Sequence, residues 1–301
     1  TRKRSSAASD VYKRQLQERA GDRADILFSG TLPFSHGIVE QALNDLRVML
    51  PISLIASILL MLALMRSLRG VLACTITIVL TLITAAGLAG WMGMQVSMPN
   101  MFAPIIILII TLAYTIHLAD HYLTEFRRAD GDRKARIAVR HAVALNMRPI
   151  LITAGTTIVG FLSLNLSVSP PYRDLGNMVA MGVAVAVIYC LFVLPGLIAI
   201  LRPQGHAADG WWRPALTRYA NWASRPWAGW QSALVCIFLL AITALIPLNT
   251  VDDNISHWFM PGSELREDTD RIDRELTGMQ QLYFRLESAR DEGALEPVYL
   301  N

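Results

Sequence analysis

The chain has 301 residues, of which 53% are hydrophobic and 17% charged, with a formal net charge of +3. This balance excludes an ordinary soluble globule, whose helices and strands show amphipathic periods. The charges are crowded into a few short segments, and their placement informs more than the net value does.

In chain order, 1–15 (TRKRSSAASDVYKRQ) has no apolar period and no signal-peptide core, so it reads as a non-native linker and is set aside from fold reasoning. Asp25–Gly30 is a short strand-like run. Pro33 follows, and a helix-like stretch Gly37–Leu46 leads into the first of six long apolar stretches. These are Leu46–Leu64, Val71–Trp91, Met101–Leu118, Ile150–Leu166, Met178–Leu201 and Ala233–Leu248. Each is about the length a helix needs to cross roughly 30 Å of hydrocarbon at about 1.5 Å per residue. Pro51 falls inside the first, near its outer end, where a kink is tolerable.

The loops alternate in charge. Arg66 and Arg69 follow the first span; Arg127, Arg128, Arg133, Lys134, Arg136, Arg140 and Arg148 follow the third; Arg202, Arg213, Arg218 and Arg225 follow the fifth. Gly93–Asn100 carries no positive charge, and Val168–Asp174 has only Arg173, beside Asp174. The positive-inside rule then places the Arg-rich loops in the cytoplasm and both flanks outside. Topology accounts for every basic cluster, so a nucleic-acid surface is not expected. Within the Arg-rich stretch Phe126–Asn146, the residues Ile137, Ala138, His141, Ala142 and Leu145 form one helical stripe. This predicts either an interfacial anchor or a connector packed under the bundle. The connector Arg202–Trp230 holds Trp211, Trp212, Tyr219, Trp222, Trp227 and Trp230, a density that fits a segment at the membrane–water boundary. Cys74, Cys190 and Cys236 each fall inside a span and read as packing residues. Past the last span, Ser263–Leu276 has helical spacing, Gly278 ends it, Leu282–Leu286 alternates as a strand, and a further helix opens at Glu296–Asn301.

The predicted fold is therefore an all-α polytopic membrane bundle of six transmembrane helices, with partial α/β exoplasmic segments at both ends. Its expected segments are 16–45 before the membrane, five spans over 46–201, a connector 202–230, a sixth span 231–249, and an outer segment 250–301.

Several pieces, in this order, carry a family likeness. They are Met65-Arg66-Ser67-Leu68-Arg69-Gly70, Tyr114-Thr115-Ile116-His117-Leu118, Pro149-Ile150-Leu151-Ile152-Thr153-Ala154-Gly155-Thr156-Thr157-Ile158-Val159-Gly160-Phe161-Leu162-Ser163-Leu164, Asp174-Leu175-Gly176-Asn177-Met178, Leu194-Pro195-Gly196-Leu197 and Trp258-Phe259-Met260-Pro261-Gly262-Ser263. Over about residues 25–290 the chain resembles one half of a resistance-nodulation-division (RND) superfamily exporter. The nearer likeness is to the branch of mycobacterial-membrane-protein-large (MMPL) and hopanoid-type lipid exporters. The resemblance implies twelve spans in two repeats, of which this chain holds the second to seventh as a first-half fragment. It also implies a proton-motive-force-driven exporter of hydrophobic or lipid-like substrates in a bacterial inner membrane. The alternative is a non-transporting relative, sterol-sensing-like or a secretion accessory.

Ionisable residues inside a membrane are costly, so each is a default functional hypothesis. The third span gathers Tyr114, His117, Asp120 and His121, with Tyr114, His117 and His121 at spacings of three and four. Imidazole exchanges protons near neutral pH, so a proton relay is chemically possible. The other reading makes His117 a helix-end residue bonded to a neighbour, with Asp120 and His121 solvated at the boundary. Related exporters usually carry an acid two or three positions before the Ile-His pair; this chain has Ala113 and Tyr114 there. In the fourth span Thr153, Thr156, Thr157 and Ser163, with Gly155 and Gly160, are small and hydroxylated. They suit either close helix packing or hydrogen bonding to the third span. No phosphate-binding loop, nucleophile elbow or supported metal site is present in the sequence, so no enzyme activity, cofactor or metal is expected. The expected partners are membrane lipids, a hydrophobic or amphiphilic substrate and the other half of the same protein, with a homo-oligomer also admitted.

Overall fold

A computed structural model of the chain describes residues 15, 18–19, 31–94, 97–128, 134–204, 213–225, 229–249 and 264–275. Among these residues there are helices and no strand. The strands expected at Asp25–Gly30 and Leu282–Leu286 and the helix expected from Glu296 lie outside the described residues, as does 1–14. The chain divides into two units, Thr1–Ile38 with Val251–Asn301, and Val39–Thr250.

In the larger unit the helices are α1 (Thr31–Met65, which starts in the smaller unit), α2 (Leu68–Trp91), α3 (Ala103–Arg128), α4 (Lys134–Leu162), α5 (Pro170–Ile188), α6 (Leu194–Leu201), α7 (Arg213–Ala223) and α8 (Gly229–Thr243). Six helical segments among the described residues are long and apolar enough to cross a membrane: Gly37–Met65, Leu68–Trp91, Pro99–Arg128, Lys134–Leu166, Pro170–Leu201 and Gly229–Leu248. The chain is a multi-pass membrane protein with an all-α bundle. Past Val251, the described part of the smaller unit is α9 (Glu264–Glu275), which carries ion pairs one turn apart, Arg266–Asp270 at 3.7 Å and Arg271–Glu275 at 3.2 Å.

Sequence chemistry sets the helix boundaries. Ser67 has extended backbone and its hydroxyl accepts from the Gly70 amide at 3.4 Å, capping α2. A 3-10 turn, Pro99–Phe102, opens the third span, and the Asn100 side-chain carbonyl accepts from the Ser97 amide at 2.8 Å. Pro51 and Pro149 lie within continuous helices. Pro195 has a visible effect. A proline nitrogen cannot bond back four residues and its ring crowds that carbonyl. The backbone answers with one π-helical stretch, Tyr189–Val193, in which the Leu194 amide reaches the Tyr189 carbonyl.

Helix α3 is the centre of the bundle and packs against α2, α4 and α5, while α2 also meets α5 and α6. Lipid tails give no hydrophobic drive for helices to associate, so contact rests on close fit. Small buried residues provide it: Ala73 and Ala85 on α2, Ala119 on α3, Ala138, Ala142 and Ala154 on α4, and Gly176 and Gly182 on α5. A Cβ on Gly182 would collide with the Ile107 side chain, and one on Gly176 with the Phe161 backbone carbonyl. Several threonine hydroxyls in the core bond back to their own helix, as Thr77 does to Ala73 at 2.9 Å and Thr81 to Thr77 at 2.8 Å. In contrast, no described residue of α8 is buried.

Two boundaries differ from expectation. The third helix continues past Leu118 to Arg128, because Tyr122 and Leu123 are buried in the bundle. The stretch ending at Asn146 is no separate helix; α4 runs unbroken from Lys134 through Pro149 into the fourth span. Of its expected stripe, Ala138 and Ala142 are buried, while Ile137, His141 and Leu145 are exposed.

Candidate proton-relay site

Packing divides α3 into two faces. Ile107, Leu108, Thr111, Tyr114, Thr115, Leu118, Tyr122 and Leu123 are buried. Ile109, Ala113, His117, Asp120 and His121 are exposed and recur every three or four residues, so they form one stripe. Tyr114 and His117, one helical turn apart, therefore fall on opposite sides of the buried–exposed boundary. The Tyr114 hydroxyl is buried without a hydrogen-bond partner among the described residues, as is that of Tyr122 two turns on. Beside them, the Cys74 thiol lies 3.8 Å from the Thr115 carbonyl.

The exposed stripe meets α4 at its Arg-rich end. His121 Nδ1 lies 3.1 Å from the His117 carbonyl and 3.0 Å from Asn146 Oδ1. Asn146 is buried, and its Nδ2 donates to the Ala142 carbonyl at 2.8 Å and sits 2.9 Å from His121 Nδ1. One turn further, Glu125 Oε2 is 3.2 Å from His141 Nδ1, and Glu125 Oε1 accepts from Arg128 at 3.2 Å. The Lys134 ammonium stands 4.8 Å over the Phe126 ring. The His117 ring and the Asp120 carboxylate have no partner among the described residues.

The four expected relay residues are thus placed unequally. His117, Asp120 and His121 share the exposed stripe, and Tyr114 faces the bundle interior. The expected supporting residues do not reach α3. Thr153 bonds the Pro149 carbonyl at 2.8 Å, Thr156 bonds those of Ile152 at 3.1 Å and Thr153 at 2.9 Å, Thr157 bonds that of Thr153 at 2.8 Å, and Ser163 bonds that of Gly160 at 2.6 Å. All four satisfy themselves on their own helix. Neither Gly155 nor Gly160 meets a neighbour within 4 Å of where a Cβ would stand. Asn146 and Glu125 escaped the sequence reading. The available signal was a lone amide one turn before Pro149, in a helix that continues into an apolar span.

At the other end of α3 an open cavity of about 460 Å³ is lined by Met92, Gly93, Met94, Ser97, Pro170, Pro171 and Asp174. No group of three or more His, Cys, Asp or Glu side chains among the described residues is placed to hold a metal ion.

The sequence profile of the MMPL family matches residues 1–226, a stretch that includes 1–15. The chain is similar to a Methanocaldococcus jannaschii protein named only as a membrane protein, with 25% identity over 191 residues, covering 64% of this chain and 48% of that protein. It is also similar to the transport protein MmpL10 of Mycobacterium leprae, with 23% identity over 263 residues, covering 82% of this chain and 26% of that protein. The chain therefore spans about half of one relative and about a quarter of the other.

Proposed function

The chain belongs to the MMPL family, and from that premise we propose that it forms part of a proton-motive-force-driven exporter of hydrophobic or lipid-like substrates in a bacterial inner membrane. The observation that carries the reading is the exposed stripe His117–Asp120–His121, which follows the apolar run Ala103–Leu112 on the same membrane-spanning helix. Three ionisable side chains on the outer face of a membrane helix are expensive in lipid. The cost is relieved when a further bundle covers them, and a transport protein among the relatives supports that arrangement. In this reading His117 takes up and releases the proton, Asp120 sets the local charge, and the Arg-rich loops lie in the cytoplasm. The substrate enters from the membrane, and the chain acts as a transporter without enzymatic chemistry. A second reading, a sensing relative that does not transport, is favoured by Ala113 and Tyr114 standing where a carboxylate is expected.

Full-length protein in liposomes under an imposed pH gradient separates the two. His117→Leu keeps side-chain bulk and removes both ring nitrogens. It is expected to abolish proton-coupled export while membrane insertion is retained, and Asp120→Asn is expected to have a smaller effect. Export by His117→Leu at the unsubstituted rate would overturn the relay and make the polar cluster structural, and no export by the unsubstituted protein would leave the sensing reading.

A further inference from the structure

Resting on the relay reading, the contacts around His121 specify which of its nitrogens handles the proton. A histidine in a relay needs one nitrogen fixed and the other free, and the partner of the fixed one decides the tautomer. Here the fixed nitrogen is Nδ1, held from two helices at once.

The orientation of Asn146 comes first. Its side-chain nitrogen lies 2.8 Å from the Ala142 carbonyl. A carbonyl only accepts, so the donor end of the amide must face it, and the opposite flip would set two oxygens against each other. With the amide so placed, Nδ1 of His121 has two pure acceptors near it, Asn146 Oδ1 at 3.0 Å and the His117 carbonyl at 3.1 Å. Among the described residues Asn146 Nδ2, at 2.9 Å, is the one donor facing Nδ1, and one of its two hydrogens is already committed to Ala142. A bare Nδ1 would gain the second Nδ2 hydrogen but turn its lone pair toward two carbonyl oxygens. A protonated Nδ1 bridges both oxygens. Asn146 is buried, with 4% of its surface exposed, so an unmade bond there is costly.

We infer that Asn146 is a positioning residue which, with the His117 backbone carbonyl, holds His121 with its proton on Nδ1 and so leaves Nε2 as the free base on the exposed stripe of α3. The ring itself is exposed, and Nε2 has no protein partner among the described residues. The proton that His121 accepts therefore goes to Nε2, where a water or a group on a covering bundle delivers it, and it leaves from the same atom. His117 contributes its backbone oxygen to this arrangement whatever its ring does.

The test reads the tautomer directly. Full-length protein labelled with 15N-histidine is placed in lipid bilayers, without substrate or gradient, at alkaline pH. The His121 signals are assigned by their loss in His121→Gln. The expected spectrum shows a protonated Nδ1 and an unprotonated Nε2. In Asn146→Leu the Nδ1-protonated population falls by at least half. A wild-type spectrum with the proton on Nε2 overturns the inference, as does an Asn146→Leu spectrum unchanged from wild type. The wild-type spectrum decides the point even where Asn146→Leu fails to fold. Because nothing is transported in this measurement, its failure is distinct from that of the export test.

Discussion

The hydroxyl of Tyr189 on the fifth span meets that of Thr84 on α2 at 2.9 Å, and it does so from the first residue of the π-helical stretch. The wider turn forced by Pro195 rotates the residues before it relative to a regular helix. One consequence of the proline is thus a polar link between two spans that neither span's hydropathy announces.

Removing either hydroxyl should show how much this link contributes. Side-chain hydrogen bonds between membrane helices average about 0.6 kcal/mol. Thermal unfolding in detergent should give losses of about that size for Tyr189→Phe and Thr84→Val, with a double-mutant cycle coupling of similar size. Additive losses would show that the two hydroxyls do not act together.

Close approach at α5 predicts a larger effect. Gly182→Ala places a methyl group against Ile107 and should cost about 1–3 kcal/mol, as overpacked cores do. Ile107→Val in the same chain should recover part of it, because the clash is with a side chain that can be trimmed. Gly176→Ala has no such remedy, since its Cβ would meet a backbone carbonyl. Denaturant midpoints for the three variants check both statements.

The threonines of α4 should be quiet. Each hydroxyl bonds its own helix, so Thr153→Val and Thr157→Val exchange a local bond for a methyl group. Stability of the isolated chain should stay within about 0.5 kcal/mol of wild type, the range for substitutions away from packed features. A loss above 1 kcal/mol would point to an interhelical role these bonds do not display.

Sidedness is tested by cysteine labelling in intact cells. Substitutions at Ser97 and Pro171 should react with an impermeant reagent added outside, and substitutions at Gly131 and Gly205 should react only after the membrane is opened. Labelling at Gly131 from outside would invert the topology.

The six spans were legible because crossing a bilayer is a demand on composition over about twenty residues, and apolar runs report it directly. The ends of α3 and α4 were less so. Hydropathy falls at Leu118, yet the helix persists to Arg128 because Tyr122 and Leu123 are buried, a property of neighbours and not of the run itself. The stretch Phe126–Asn146 and the span from Ile150 read as separate segments, but the fourth helix runs through both. The gathering of His117, Asp120 and His121 could be read from spacing alone. The burial that turns Tyr114 away from them could not, because both sides of α3 are apolar enough to pass for either face. The His121–Asn146 contact joins residues 25 apart in sequence, on helices whose register only the packing defines.

A span with no buried residue is shaped by a different selection from one at the centre of a bundle. The described residues of α8 touch too little protein for jigsaw fit to constrain them. What holds that segment in place is the partition decision made as it leaves the translocation machinery. Exchanges among leucine, isoleucine, valine and phenylalanine between Ala233 and Leu245 should therefore be silent. A single arginine near Phe238, at a cost of about 2.5–3.5 kcal/mol for insertion, would shift the balance toward a segment that fails to stay in the bilayer and so misplaces everything synthesised after it.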